Sequence, residues 1–255
     1  MTMLYPKDYR GFLKADDWAV FADKAHETDQ RKGIRRPPAE KPFPEATPLI
    51  ELPAPDKPDL GEMPVRDAIA KRRSRRAFAP DALSLDELSF LLWATQGVRE
   101  RRDVRDGVVT FRNVPSGGSL HSFETYLVVH AVEGLDAGLY RYLPLEHKLL
   151  PIDKEVSAEE VVEACRGQRF AGDCAVTFAW STIPYRMEWR YTIVAHKVIA
   201  LDAGHLCQNL YLAAESIGCG TCAIGAYDQA KMDALLGLDG EDEFTIYVAP
   251  VGKLT

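Results

Sequence analysis

A dense run of prolines divides this chain into two parts and limits what its first quarter can fold into. Proline fixes one backbone dihedral angle and has no amide hydrogen to donate, so closely spaced prolines exclude helices and most sheet pairing. The sequence therefore predicts an extended, proline-rich N-terminal arm over 1–62 and a globular domain over 63–255. The prolines that define the arm are Pro37, Pro38, Pro42, Pro44, Pro48, Pro53, Pro55 and Pro58.

The arm has two interpretations that composition does not separate. It is either a disordered tail or an arm that lies across a partner subunit, held by the apolar residues Leu49, Ile50 and Leu52. Segments of this composition bury too little apolar surface to fold by themselves, although a binding surface can order them. Both interpretations stay open at this point.

The composition of the whole chain excludes several classes of protein. A chain of 255 residues with 46% hydrophobic residues can bury one large core or two modest ones. The formal net charge of -7 argues against a nucleic-acid partner, and the absence of an 18-residue apolar run argues against a membrane helix. The five cysteines are odd in number and the N-terminus does not resemble a secretory signal, so we expect reduced thiols in the cytoplasm.

Helices and strands alternate irregularly in the globular part, which predicts an α+β fold rather than a doubly wound sheet. Ser84 and Glu87 form a capping-box pattern that opens a helix ending at Gln96. The charged stretch from Glu100 to Gly107 predicts a solvated loop. Further helices are expected over 64–72, 158–164, 202–218 and 229–236, and strands over 125–129, 139–142, 148–152, 175–180 and 244–253.

One stretch concentrates positive charge against the acidic background of the chain. The six residues from Lys71 to Arg76 carry five cationic side chains and one hydroxyl, directly after a short predicted helix. Guanidinium groups match phosphate oxygens two at a time, and a serine hydroxyl can donate to a third oxygen. The composition of this basic cluster therefore indicates an anion site, with phosphate as the favoured ligand.

The segment from Pro115 to Ser119 reads Pro-Ser-Gly-Gly-Ser and has two interpretations. Its two glycines allow the backbone to approach a ligand closely, and two hydroxyls and free amides are available to bind it. The alternative is an ordinary turn before the next strand. The residues alone favour neither interpretation.

Several common catalytic motifs are absent from the sequence. No dinucleotide-binding glycine fingerprint, Walker phosphate loop or serine nucleophile elbow occurs. Cys219 and Cys222 have the spacing of a redox dithiol, but they follow the C-terminus of a predicted helix, where the dipole disfavours a thiolate. We therefore expect buried cysteines at a turn. The histidines lack metal-ligand spacing, with His205 expected at the start of the long helix, so no metal site is predicted.

The order of these features resembles the nitroreductase superfamily of FMN-dependent oxidoreductases. The matching features are the basic cluster, the Pro-Ser-Gly-Gly loop, a helix with Gly204 and His205, the segment Ile224–Asp228, and Val251–Lys253. The segment Asp202–Leu210 is especially similar to the subgroup of azoline dehydrogenases, which oxidise thiazolines and oxazolines. The likeness covers about 63–253.

This resemblance implies a three-layer sandwich with a mainly antiparallel central sheet flanked by helices, assembled as an intertwined homodimer with FMN at the subunit interface. It implies hydride transfer from NAD(P)H through FMN to a small-molecule acceptor. The FMN phosphate and the polar edge of the ring would be held by Arg72, Arg73, Ser74, Arg76 and Lys253. The ring would be lined by a loop from the partner subunit that contains Pro115, Ser116, Gly117, Gly118 and Ser119. Its other face would be covered by Ile224 and Gly225, and the Gly225 amide would donate to flavin N5.

The chain departs at one position from the azoline-oxidising subgroup. Arg190 and Tyr191 stand where that subgroup has a lysine and a tyrosine, and arginine is a poor proton acceptor. Arg190 is therefore expected either to bind an anionic substrate or to pair with Glu188. The resemblance leaves three functions open: an NAD(P)H-linked reductase, a dehydrogenase that desaturates a peptide or natural product, and a flavin-binding protein without turnover.

Overall fold

A seven-stranded antiparallel sheet forms the middle layer of the molecule in the computed structural model, which describes residues 6–55 and 60–255. The strands are β1 Ile50–Glu51, β2 Val98–Val104, β3 Gly107–Arg112, β4 Phe123–Val129, β5 Gly138–Leu143, β6 Lys148–Ile152, β7 Val176–Thr182, β8 Cys219–Thr221 and β9 Phe244–Lys253. The order across the sheet is β1-β6-β5-β4-β7-β9-β8, and β2 pairs with β3 in a separate hairpin.

Helices cover both faces of this sheet. They are α1 Asp17–Lys24, α2 Val65–Lys71, α3 Leu85–Gln96, α4 Ala158–Ala164, α5 Tyr185–Tyr191, α6 Ala195–Ser216 and α7 Gln229–Leu236. Along β4, Phe123, Leu127 and Val129 face the core cluster that contains α3 and α6, whereas Tyr126 and Val128 face the cluster beneath α4 and α7. This period of two, with both faces covered, makes β4 a fully buried strand. The expected α+β three-layer sandwich is therefore confirmed.

The strongest local predictions are confirmed. The Ser84 hydroxyl accepts the Glu87 amide at 3.2 Å, and the Glu87 carboxylate accepts the Ser84 amide at 2.8 Å. These two bonds satisfy amides that a helix N-terminus otherwise leaves free. The bounds predicted for α4 and α7 coincide with the observed ones, and the predicted hairpin of β5 and β6 is present. None of the helices in the described part of the chain is long and apolar enough to cross a bilayer.

Two predictions about the type or the start of an element were wrong. The stretch Glu100–Gly107 is not a loop but most of the β2–β3 hairpin, in which Arg101 faces Thr110. Because β2 is exposed along its length, it carries charges where a buried strand carries apolar residues. Helix α6 begins at Ala195 rather than at 202, and His205 consequently lies in its middle.

The cysteine pair lies at an edge strand instead of the expected turn. Cys219 begins β8, which pairs with β9, and both Cys219 and Cys222 are buried as expected. Burial raises the pKa of the Cys219 thiol to about 12, so this thiol stays protonated near neutral pH. A protonated thiol is a poor nucleophile and a poor metal ligand.

The N-terminal arm packs against the body of its own chain. Ile50 and Glu51 add a short edge strand beside β6, and Leu52 is buried. Further upstream, the indole N–H of Trp189 donates to the carbonyl of Ile34 at 2.9 Å. These contacts fix the arm to the edge of the sheet and to α5.

Candidate functional site

The basic cluster continues from the end of α2 as an extended segment beside β8. The Arg75 amide donates to the carbonyl of Thr221 at 2.9 Å, and Ser74 forms a parallel bridge with the same residue. The Arg75 side chain ion-pairs with Glu215 of α6 at 3.6 Å. The backbone of the cluster is therefore fixed to the edge of the sheet.

Two guanidinium groups of the basic cluster are exposed. Arg73 donates through Nη1 to three backbone carbonyls at the end of α2, including that of Ala70 at 3.0 Å. These carbonyls are acceptors that the C-terminus of a helix leaves free. The Arg76 guanidinium lies 5.7 Å from the centre of the Phe170 ring. Both side chains retain donors that face solvent and are available to an anion.

Tyr211 of α6 joins the basic cluster to the loop that follows β8. Its hydroxyl accepts the Ala223 amide at 2.8 Å and shares a hydrogen bond of 3.2 Å with the Ser74 hydroxyl. The Arg72 guanidinium lies 5.2 Å from the centre of its ring, within cation–π range. Sequence reasoning missed Tyr211, because a tyrosine at helical spacing looks like core. The available signal was its hydroxyl, since a partly buried tyrosine needs a partner.

The two residues after Ala223, Ile224 and Gly225, are both expected to contact the flavin but differ in exposure. Gly225 is exposed, and a Cβ built on it would meet no atom within 4 Å. The side chain of Ile224 is 3% exposed and packs in the core beneath α7, and its amide donates to the carbonyl of Val248 at 2.7 Å. The backbone of Gly225 is therefore accessible to a ligand, whereas that of Ile224 is not.

Lys253, the remaining expected phosphate ligand, has a partner within the chain. Its ammonium group ion-pairs with Glu87, whose other carboxylate oxygen caps α3. Its carbonyl accepts the Ala79 amide at 2.9 Å, which holds the end of β9 beside the segment that follows the basic cluster. The charge of Lys253 is balanced by Glu87 in this arrangement.

The loop Pro115–Ser119 is held against the other half of α6. The Gly117 amide donates to the Asp202 carboxylate at 3.0 Å. Burial raises the pKa of Asp202, and hydrogen bonds from Ser116 and Gly117 oppose that rise. Ser119 adopts a left-handed backbone with φ of +52°, which costs about 1–2 kcal/mol for a residue with a side chain. Its neighbours therefore hold the loop in a strained conformation.

Arg190 and Tyr191 lie over this loop. A Cβ on Gly118, whose φ is +59°, would come within 3.0 Å of the Tyr191 hydroxyl and 3.2 Å of Arg190 Nη1, so glycine alone fits without a shift. The Tyr191 ring also contacts Trp18 and Phe21 of α1, with centroids 6.0 and 6.1 Å apart. Sequence reasoning missed these two aromatic residues, because contacts between an arm and a distant helix leave no local pattern.

Of the two alternatives expected for Arg190, an ion pair with Glu188 is not observed among the described residues. Glu188 pairs with His196 at 2.7 Å. The Arg190 guanidinium lies 5.4 Å from the centre of the Tyr191 ring. Its charge therefore remains beside the loop, where it can meet an anionic group.

The structure collects the predicted residues into two groups on one chain. They lie against α6 around Tyr211 and around Asp202, which are about 14 Å apart along the helix axis at roughly 1.5 Å per residue. Arg72 and Ser74 contact Tyr211, with Arg73 and Arg76 next to them in the basic cluster and Ile224 and Gly225 directly after its partner Ala223. The Asp202 group contains Pro115, Ser116, Gly117, Gly118, Ser119, Arg190 and Tyr191.

Comparison with known proteins gives the family. The model of the nitroreductase family matches residues 69–253. The chain belongs to the nitroreductase family, as the order of its motifs indicates. A nitroreductase-family protein of Methanocaldococcus jannaschii is 31% identical over 196 residues, which cover 77% of this chain and 94% of that protein.

Two further proteins are similar to this chain, one in sequence and one in fold. The trifolitoxin-processing protein TfxB of Rhizobium leguminosarum bv. trifolii is 29% identical over 177 residues, which cover 64% of this chain and 46% of TfxB. This chain thus spans less than half the length of TfxB. A chain of the Escherichia coli microcin synthetase McbBCD complex superimposes with a TM-score of 0.59 at 19% identity, over 99% of this chain and 98% of that one, which shows a shared fold.

Proposed function

We propose that this chain is an FMN-dependent oxidoreductase that transfers hydride from NAD(P)H through FMN to a small-molecule acceptor. Membership of the nitroreductase family supports an oxidoreductase. The observation that carries the proposal is that Tyr211 joins Ser74 of the basic cluster to Ala223, two residues before the exposed Gly225, while Arg73 and Arg76 on either side of Ser74 are exposed.

The side chains of the basic cluster fit a phosphate group. Arg73 and Arg76 present charged donors to solvent in an acidic chain, and Ser74 is oriented by Tyr211. Hydrogen bonds from charged donors contribute about 1.5–3 kcal/mol each. We expect these side chains to hold the FMN phosphate, whereas Lys253 can reach it only by leaving Glu87.

The loop after β8 fits the ring of the cofactor. The Gly225 amide has no hydrogen-bond acceptor among the described residues, and the space around its Cα is open. An N–H in this position can donate to flavin N5, and Arg72 beside Tyr211 can supply positive charge at the polar edge of the ring. Bound FMN supplies the hydride chemistry, and the chain supplies binding, orientation and charge.

A second copy of the chain would complete the site. Helix α6 presents Ala200, Leu201 and Gly204 to solvent, and Leu201 is 55% exposed. Small residues beside an exposed leucine let a second helix pack closely. Because the two groups of residues lie apart on one chain, we propose an intertwined homodimer in which the loop Pro115–Ser119 of one subunit faces the basic cluster of the other.

Anaerobic mixing of the flavin-loaded protein with NADH or NADPH tests the reaction. We expect the visible flavin absorption band to bleach with at least one of the two donors and to return when an acceptor or oxygen is added. A bound flavin that stays oxidised with both donors would make the chain a flavin-binding protein without this turnover. An Arg66→Ala variant, altered at an exposed side chain on α2, should behave like the wild type.

The resemblance of Asp202–Leu210 to the azoline dehydrogenases supports a second function, the oxidation of azolines in a peptide, and the similarity to the trifolitoxin-processing protein TfxB is consistent with a role in processing. In that reaction a hydride passes to the flavin and a proton passes to a base, so the heterocycle loses two hydrogens. Arg190 beside Gly118 is a poor base, and we expect Arg190→Lys to raise the rate if the wild type has this activity at all. The measurement is the mass of a thiazoline-containing peptide after incubation. An unchanged mass with both proteins would reject this function and leave the NAD(P)H reaction untouched.

A further inference from the structure

A small enclosed cavity lies behind the loop Pro115–Ser119. It is bounded by Arg36 and Ala39 of the arm, Thr110 of β3, Ser119 of the loop and Arg186 of α5. Its volume is ≈ 10 Å³, counted as the space open to the centre of a water-sized sphere. A space of this size holds one small occupant.

Two guanidinium groups line this cavity with donors that no protein atom accepts. Arg186 is 3% exposed, and its Nη2 donates to the Glu124 carboxylate at 2.6 Å. Its Nη1 is buried and finds no acceptor in the described part of the chain, and the same holds for Nε of Arg36. A buried N–H of a charged group without an acceptor is strongly unfavourable, so the cavity calls for an occupant that accepts hydrogen bonds.

The excess of positive charge around the cavity favours an anion over a neutral occupant. Arg112 and Arg141 are also buried nearby, and Arg186 repels Arg112 enough to lower its pKa, although burial has the larger effect. Arg112, Arg141 and Arg186 thus share the carboxylate of Glu124, and Arg36 is attracted by Asp106 and repelled by Arg190. Uncompensated positive charge in a buried region is costly.

Glu40 adds little negative charge to this region. Its side chain is 8% exposed, and burial raises the pKa of Glu40 to about 8. Near neutral pH this carboxyl is therefore mostly protonated. Lys41 and Glu243 pair with each other and leave the local balance unchanged.

We propose that the cavity binds one small monovalent anion of the chloride type between Arg36 and Arg186. The anion accepts the two free guanidinium donors and offsets the excess positive charge. Because Arg36 belongs to the arm and Arg186 to α5, the bound anion also fastens the arm over the loop that contains Ser119.

Thermal unfolding of the full-length, flavin-loaded protein tests the proposal. We expect the unfolding midpoint to rise by about 3–5 °C and to saturate as sodium gluconate is replaced by sodium chloride at constant ionic strength, because a ligand that binds the folded state stabilises it. Bromide should act like chloride, and sulfate, which is too large for the cavity, should not. Trypsin should release the arm more slowly in chloride than in gluconate.

Two variants and a crystal complete the test. Arg36→Met should lose the chloride response, whereas Arg35→Met, changed at the exposed neighbouring arginine, should keep it. If Arg36→Met fails to fold, an anomalous bromide peak between Arg36 and Arg186 in wild-type crystals decides the matter. Equal midpoints in chloride and gluconate, or a crystal without that bromide peak, would mean that the cavity holds a water molecule and would overturn the proposal.

Discussion

Two sets of arginines in this molecule share a charge and differ in almost everything else. Arg73 and Arg76 are close together in the sequence and exposed; among the described residues, the Arg73 guanidinium donates to carbonyls at the end of α2 and the Arg76 guanidinium lies near the Phe170 ring. Arg112, Arg141 and Arg186 come from three separate elements, and each is 3% exposed. The exposed set is available to a ligand, and the buried set holds protein to protein.

The partners of the buried set explain how the arm is attached. Arg141 donates to the carbonyl of Lys41 at 2.8 Å, and Arg112 donates to the carbonyl of Ala39 at 2.9 Å. The Lys41 amide in turn donates to Glu124 at 2.8 Å. A proline-rich segment with few amides and little apolar surface is thus held largely through its carbonyls, which prolines do not remove.

The largest loss of stability should follow from removing the charge of Glu124, the carboxylate that the buried arginines share. Glu124 is 2% exposed and pairs with both Arg141 and Arg186. Glu124→Gln leaves these guanidinium groups without an ionised partner, and we expect a loss of about 3–5 kcal/mol in the free energy of unfolding, measured in urea. The matched control, Glu159→Gln at an exposed arginine partner, should leave the midpoint unchanged. A loss below about 1 kcal/mol for Glu124→Gln would remove the structural role given to the buried set.

A smaller effect on the free energy of unfolding should depend on pH, and it tests whether Glu40 is protonated in the folded chain. Because burial raises the pKa of Glu40 from its ordinary value near 4.5 to about 8, the folded chain keeps a proton there that the unfolded chain releases. Stability contributed by this site therefore falls as pH rises from about 4.5 to 8, by up to ~1.4 kcal/mol per pH unit. Glu40→Gln should gain stability relative to wild type across pH 5.5, 6.5 and 7.5. Parallel curves for the two proteins would show that Glu40 is ionised in the fold.

The smallest effect should come from the hydroxyl that connects the exposed set to the loop after β8. Tyr211→Phe removes the acceptor of the Ala223 amide and the partner of Ser74. We expect a loss of about 1 kcal/mol in stability and a several-fold weaker affinity for FMN. Tyr247→Phe removes a hydroxyl that has no hydrogen bond among the described residues and serves as the control. Identical FMN affinity in both variants would show that the Tyr211 hydroxyl does not contribute to the FMN site.

The same contrast explains what could be read from the sequence. The helix start at Ser84 and Glu87 and the run of arginines are local patterns, so they were visible without the fold. The sequence predicts a loop where the charged strand β2 lies, because β2 is exposed from Arg99 onward and lacks the apolar alternation that marks a strand. Glu124 and its arginines are single charges far apart in the sequence, and only the fold brings them together.

The residues of the candidate site divide in the same way. Gly225 and the basic cluster are predicted from an ordered set of motifs, and the Tyr211 hydroxyl joins Ser74 of that cluster to Ala223, two residues before Gly225. The contacts of Trp18 and Phe21 with Tyr191 depend on where the arm docks, which its prolines do not specify.

FMN binding by an Arg73→Ala/Arg76→Ala double variant is the most direct test of the central claim, which assigns the exposed set to the cofactor phosphate. Arg66→Ala, at an exposed arginine within α2, is the control. FMN retained after gel filtration is measured on each protein, and the urea midpoint is measured on each cofactor-free protein. We predict FMN affinity at least ~100-fold weaker in the double variant, with an unchanged midpoint and full retention in the control. Full FMN occupancy in the double variant would contradict the assignment of the phosphate site.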